Sequence, residues 1–446
     1  MPKIKRRRLK KKYRRLFLLI VIVLISILFI KCLFSGKNDS NNDSDNSNND
    51  KINYKINYND FITNNIESDH STAIDTIFAD GINIDNYKSI LNQKPNYLKK
   101  SGKYSYIDYN FENKLHYSEI ENIIFNLNKS NIVKVDVIGN SADNRKIYGV
   151  EIGKGNKVLY LDANVHAAEI ANTLILIKFM SEIVNSYENN DKDIINILNN
   201  IKLAIIPCMN PDGYEVYNFG VDSLNNKKLW WYKNSDNVDF ENIKSNANGV
   251  DLNRNFPVQN AGMYFKGKKL LYNVSLEKTF SKTAYFGGTE LGSEPETKAA
   301  MYFMLKHFKN TYAYINLHSQ GRVIYAGKPN LSDEFNKITN KFAKDIAKIN
   351  NYVVYGLSSE EVGEGNDGSV TDFMAELANG FVMSSKTGRL STDKHINNSA
   401  TLKYSYPVIT IETIKTYTRN PEYFKDEYYN YGIKDALYML LEWSYN

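Results

Sequence analysis

The sequence predicts an α/β domain with a mixed central sheet and helices on both faces, preceded by an N-terminal transmembrane anchor. Beyond residue 104, short apolar runs alternate with longer segments of helical period, the pattern of buried strands between covering helices. The 446 residues are 42% hydrophobic and 24% charged, which suits one large or two ordinary globular domains. That makeup excludes wholesale disorder, collagen and multi-span membrane architectures. A basic block followed at once by an apolar run opens the chain and supplies the expected anchor.

Residues 1–15 hold ten Lys or Arg and no acid, so the formal charge of +6 belongs to this block and the remainder nets −4. No basic face for nucleic acid is expected on the folded part. In residues 16–30 only Ser26 is polar, and Lys31, Cys32, Leu33 and Phe34 follow. No small-x-small cleavage site comes directly after, and Lys31 immediately before Cys32 spoils a lipoprotein site. The run therefore reads as a single-pass signal anchor over 16–35. The basic tail keeps the N-terminus cytoplasmic and the rest of the chain outside, secreted if the anchor is cut. Residues 38–50 are all Asn, Asp or Ser, which have nothing to bury. Residues 36–103 are accordingly a stalk followed by a segment without a motif. Only two cysteines, Cys32 and Cys208, exclude a disulfide framework and a cysteine-rich metal site. Histidine and carboxylate remain as metal ligands.

The folded domain is expected over 104–446. Buried strands are predicted at 158–163, 203–208, 313–317 and 408–411, and helices at 169–187, 294–308 and 333–349. Functional groups in such sheets collect at strand ends. The first strand runs into His166-Ala167-Ala168-Glu169, a His and a carboxylate three apart where a helix begins. Two histidines and one glutamate are a common catalytic zinc set with the fourth position open, but a His-x-x-Glu by itself is a weak signal. His318 closes the strand at 313–317 and so occupies the same kind of position as His166. Glu412 ends the strand at 408–411, where a carboxylate is costly to bury unless paired or used. Arg254 stands between Asn253 and Asn255, a cluster suited to a bidentate grip on a substrate carboxylate.

Taken in order, His166-x-x-Glu169, Asn210-Pro211-Asp212-Gly213-Tyr214, Asp251-Leu252-Asn253-Arg254-Asn255-Phe256, Ser293-Glu294-Pro295-Glu296, His318-Ser319-Gln320-Gly321 and Glu412 resemble the motif set of the zinc carboxypeptidase family. Each motif is modest, but six in the right order are specific. The resemblance implies that His166, Glu169 and His318 hold one zinc ion and that Glu412 is the general base. It also implies that Asn253 and Arg254 bind a substrate carboxylate.

Digestive members carry an oxyanion-binding arginine upstream of the Asn-Arg pair. Here that region reads Trp230-Trp231-Tyr232-Lys233, and a second string, Ile243-Lys244-Ser245-Asn246, looks like one found in bacterial cell-wall members. The resemblance therefore points to Lys244 for the oxyanion, with Lys233 in reserve. The loop 357–367 has no tyrosine to match the mobile one of digestive members, and the resemblance of Gly368-Ser369-Val370-Thr371-Asp372-Phe373 to the segment after that loop implies that Thr371 lies at the substrate pocket. These features are more similar to the γ-D-glutamyl-meso-diaminopimelate peptidases, which implies a peptide or peptidoglycan stem-peptide substrate; no protein partner is implied. Two alternatives stand beside this reading. One is a general carboxypeptidase removing C-terminal residues; the other is a non-catalytic wall-binding protein on the same scaffold.

Overall fold

The structure is a computed structural model that describes residues 90, 93–226, 240–258, 263–265, 268–270, 286–288, 291–328, 331–356, 368–379, 381–383, 390–391 and 406–445. These residues belong to one unit of the chain, Lys55–Asn446. Among them no helix is long and apolar enough to cross a membrane. The expected anchor at 16–35 and the Asn/Asp/Ser tract lie outside the described residues.

An eight-stranded mixed sheet forms the centre. Its strands are β1 (Val133–Asn140), β2 (Lys146–Gly153), β3 (Lys157–Ala163), β4 (Ile201–Ile206), β5 (Thr311–Ser319), β6 (Val323–Ala326), β7 (Val353–Tyr355) and β8 (Val408–Thr413). They are arranged in the order β1-β2-β4-β3-β5-β8-β6-β7. The four inner strands β4, β3, β5 and β8 are mutually parallel. Every residue of β5 is buried, as is all of β3 after Lys157, which explains why both read as continuous apolar runs and not as alternation. Successive β3 side chains nonetheless go to opposite faces. Leu159 and Leu161 join the core containing Leu174 and Ile177, whereas Val158 and Tyr160 join the core containing Ala300 and Phe303.

The first core is covered by α1 (Tyr117–Leu127), α2 (Ile170–Glu188), α3 (Lys192–Asn200), α8 (Pro421–Tyr429) and α9 (Ile433–Tyr445), and the second by α5 (Pro295–His307) and α7 (Val370–Ala378). Helix α2 is buried almost all round from Ile170 to Val184, as befits a helix sunk beneath others. Helix α4 (Pro211–Phe219) starts at Asn210, whose side chain caps the Gly213 N–H, with Pro211 as first helical residue. Helix α6 (Asp333–Asn350) is capped by Ser332 and stopped by Asn351 in the left-handed region.

The four predicted strands and three predicted helices all form, with ends shifted by one or two residues. The antiparallel edge, β1 and β2, carried no signal strong enough to be read. Residues 96–98, expected to precede the catalytic domain, run along that edge: Leu98 N–H donates to Val135 O and Val137 N–H to Asn96 O.

Asp162 on β3 lies fully buried beneath the sheet's functional edge, accepting the Tyr314 hydroxyl at 2.7 Å and a hydrogen bond from the Asn316 amide. Burial pushes its carboxyl up to about 7, against the opposing pull of those two donors. A carboxyl whose pKa is raised by folding contributes stability that is full below its ordinary value and is lost as pH rises through the folded one. Asp162→Asn should therefore raise the melting temperature more at pH 8 than at pH 5, by at least ~4 °C more. Equal shifts at the two pH values would mean that Asp162 does not titrate in this range.

Candidate active site

The functional edge is where β3, β5 and β8 end side by side. Ala163 is level with Leu317 across the β3–β5 pair, and Glu412 is level with His318 across the β5–β8 pair. After β3 the chain turns through Asn164, which has a positive φ of 59°, a conformation Asn tolerates better than most residues. This turn swings His166 over the end of β5. The turn is held by the neighbouring segment, as Ala168 N–H donates to Ile243 O at 2.9 Å and Ala167 N–H to Lys244 O at 3.3 Å. Gly213 lets α4 approach the turn closely, since a Cβ there would sit 2.6 Å from the Ala167 methyl.

His166, Glu169 and His318 are brought together and buried, with their ligand atoms all within 4.8 Å of one another. His166 Nδ1 lies 2.7 Å from Glu169 Oε1, and His318 Nδ1 lies 2.9 Å from Glu169 Oε2. Both imidazoles thus aim the same nitrogen at one carboxylate. Burial disfavours a charged His166, but the charges of Glu169 and Asp251 outweigh it and raise its pKa. Burial wins at His318 and lowers its pKa. Burial likewise resists ionisation of Glu169, but the two imidazoles overcome it and hold the carboxyl well below its usual range. An ionised carboxylate between two nitrogens, all out of solvent, is a donor set of the kind zinc takes, and a divalent cation is the partner that such a buried anion calls for.

Two further layers hold these groups in place. Asp251 Oδ1 lies 3.3 Å from His166 Nε2, the outer carboxylate that fixes which imidazole nitrogen faces a metal. Below the site, the Asn172 amide donates to Ser319 Oγ at 3.2 Å. The Thr413 hydroxyl lies 2.6 Å from Asn172 Oδ1 and 3.1 Å from His318 O. This buried network ties α2, β5 and β8 together directly under the ligands. The Tyr417 hydroxyl reaches Ser319 O at 3.0 Å and lies 3.4 Å from Glu169 Oε1. The sequence reading assigned no role to Asp251, Asn172, Thr413 or Tyr417. Only Asp251 stood in a quoted motif, two residues before Asn253, and could have been found there.

A cleft of about 120 Å³ opens over the ligands, lined by His166, His318 and Glu412 at one part and by Lys244, Asn253, Arg254 and Thr371 at others. Every expected site residue except Glu169, which is buried in contact with both imidazoles, borders it. Lys233 lies outside the described residues. Glu412 is half-buried, and its Oε2 has no hydrogen-bond partner among the described residues. Burial and the nearby Glu169 charge push its carboxyl up, and Lys244 pulls it back. Asn253 accepts the Val370 N–H at 3.0 Å, and Phe256 N–H donates to Gly368 O, so the Asn253-Arg254 turn is clamped to the start of α7. Gly368, at φ +96°, permits this: a Cβ there would meet Arg254 O at 3.0 Å.

The remaining motif residues support the site from outside the cleft. The Asn210 amide reaches Ser245 O at 3.2 Å. The Asn246 amide donates to Glu294 at 2.8 Å and to Glu296 at 3.0 Å. Burial and its acidic neighbours push the Glu296 carboxyl up to about 8. His116 and His307 pair with Glu215 and Glu151, away from the ligands, while His70 and His395 lie outside the described residues.

Zinc retention tests the arrangement. His318→Ala should leave protein without stoichiometric zinc after dialysis, and Asp251→Asn should weaken zinc by about 10- to 100-fold in chelator competition. Full zinc retention by His318→Ala would remove His318 from the ligand set.

Comparison with known proteins agrees with this geometry. A family model described as zinc carboxypeptidase, peptidase M14, matches residues 120–406; Glu412 lies just past its end. "Gamma-D-glutamyl-L-diamino acid endopeptidase 1" of Lysinibacillus sphaericus is 30% identical over 233 residues, 49% of this chain and 55% of that one. Human "Carboxypeptidase A6" is 27% identical over 225 residues, 48% of this chain and 45% of that one. The chain thus spans about half the length of these curated relatives. Among solved structures, bovine thrombin-activatable fibrinolysis inhibitor in complex with tick carboxypeptidase inhibitor superposes with a TM-score of 0.52 at 19% identity, covering 75% of this chain and 97% of that one. This likeness concerns the fold. The family match, over more than half of the chain, shows that it belongs to the zinc carboxypeptidase family.

Proposed function

We propose that the chain hydrolyses the amide bond between γ-D-glutamate and a diamino acid, diaminopimelate, in peptidoglycan stem peptides. The observation that carries hydrolysis is the register that puts Glu412 level with His318, beside the three ligands and facing the same cleft. Support for the substrate comes from the likeness to the Lysinibacillus endopeptidase and from the cationic lining of the cleft. Stem peptides carry free carboxylates that such a lining suits.

Held by His166, Glu169 and His318, zinc would supply Lewis-acid polarisation of the scissile carbonyl and a lowered pKa for the attacking water. The chain's own residues do the rest. Glu412 takes the proton from the attacking water and passes it to the leaving amine. Its opposed neighbours suit that exchange, for Glu169 strengthens its hold on a proton and Lys244 weakens it. Lys244 faces the developing oxyanion as a charged donor. Asn253 keeps its carbonyl on the Val370 N–H, which leaves its amide NH2 to join Arg254 in holding a substrate carboxylate. Thr371 borders the space beyond, with its hydroxyl 2.8 Å from that of Thr410. An anchor at 16–35 with an outward-facing domain would set this cleft beside the wall.

The second reading, a general carboxypeptidase, draws on the Asn253-Arg254 pair, which suits any C-terminal carboxylate, and on the likeness to human carboxypeptidase A6. Muropeptide digests read by mass decide between them. The stem-peptide reading expects fragments ending in γ-D-glutamate, and release of C-terminal residues from ordinary peptides alone contradicts it. On whichever substrate is cut, Glu412→Gln should retain zinc and lose at least ~10²-fold in kcat. A parent-like rate would take the base assignment away from Glu412.

A further inference from the structure

The cleft carries a third cation that the mechanism leaves unused. Lys328 follows β6 and lines the same cleft as His318 and Arg254. Its backbone is pinned on both sides by one amide: Lys328 N–H donates to Asn336 Oδ1 at 2.7 Å, and Asn336 Nδ2 donates to Lys328 O at 2.9 Å. The preceding Gly327, at φ +93°, lets the turn press against Gly356 O, where a Cβ would sit only 2.4 Å away. The lysine therefore emerges from a fixed point. Its ammonium pairs with Asp372, with side chains 20% and 11% exposed. Asp372 is itself held in a capping box with Ser369, whose hydroxyl accepts the Asp372 N–H at 3.0 Å. Lys328 thus borders the cleft beside Thr371 as a largely desolvated cation, whereas its counter-ion Asp372 stands outside the cleft lining.

We propose that Lys328, positioned by Asp372, is a specificity-determining residue that receives a side chain ending in a carboxylate, as at the distal end of diaminopimelate. The choice of this amino acid rests on the stem-peptide reading; the charge logic belongs to the pair alone. With the α-carboxylate on Arg254, the side chain of the residue C-terminal to the cut passes toward Thr371 and the pair. A distal carboxylate can lie against the Lys328 ammonium, which then keeps an acid on either side. A lysine side chain brings only an ammonium, which must face Lys328 or displace it.

The test measures kcat/KM of the zinc-loaded enzyme on γ-D-glutamyl peptides ending in meso-diaminopimelate, L-lysine or 2-aminopimelate, which lacks the distal ammonium. The same three residues are also presented on ordinary α-linked acyl-peptides. The parent should prefer diaminopimelate and 2-aminopimelate over lysine by at least about tenfold. Lys328→Gln should cut the diaminopimelate-to-lysine ratio by about tenfold, mainly through KM, and Lys328→Arg should restore it; a merely structural lysine would lower all rates together. An unchanged ratio in Lys328→Gln overturns the proposal, as does a parent without preference. Refusal of every γ-linked peptide, with the diaminopimelate preference and its Lys328 dependence kept on α-linked ones, sinks the stem-peptide reading and leaves the pair standing.

Discussion

The parallel register of β3, β5 and β8 is the constraint on which the site depends. Parallel strands end together, so whatever follows or closes them is delivered to one edge of the sheet. His318 and Glu412 occupy facing positions of neighbouring strands, and His166 arrives one turn beyond the third. A slip of one residue in either pairing would send these side chains to opposite faces. The buried Asn172, Ser319 and Thr413 contacts add a polar tie across this edge, in a place where apolar packing would tolerate more sliding.

The same edge concentrates negative charge that a bound cation would relieve. Glu169 is ionised and buried between two imidazoles, and Glu412 stands close enough for the two carboxylates to repel. Asp251 adds a third negative group behind His166. A buried arrangement with this many acids is costly, and Lys244 meets only part of the demand. A divalent ion held by His166, Glu169 and His318 would stabilise the carboxylates and would invert the local pKa logic at Glu412.

Much of this was legible in the chain. The inner strands were readable because burial on both faces makes them continuous apolar runs, and His318 stood out because it closes such a run. His166, Glu169 and Glu412 were legible only as an ordered set, since no one of them is distinctive. The antiparallel edge was illegible because β1, Val133–Asn140, mixes buried and exposed positions irregularly. Tyr417 and the Lys328–Asp372 couple escaped for another reason. Their partners lie far off in the chain, and a contact between Glu169 and a tyrosine at 417 leaves no trace in local spacing. The apolar run and basic block at the N-terminus carry the anchor expectation on sequence grounds alone.

The account reduces to one zinc ion on three named side chains, and crystallographic anomalous scattering at the zinc edge tests it most directly. It predicts a single ordered ion per chain, with Nδ1 of His166 and Nδ1 of His318 at ~2.0–2.1 Å and a Glu169 oxygen at ~2.0–2.2 Å. An ion held through the Nε2 atoms, or ordered only at a different place on the chain, would contradict it.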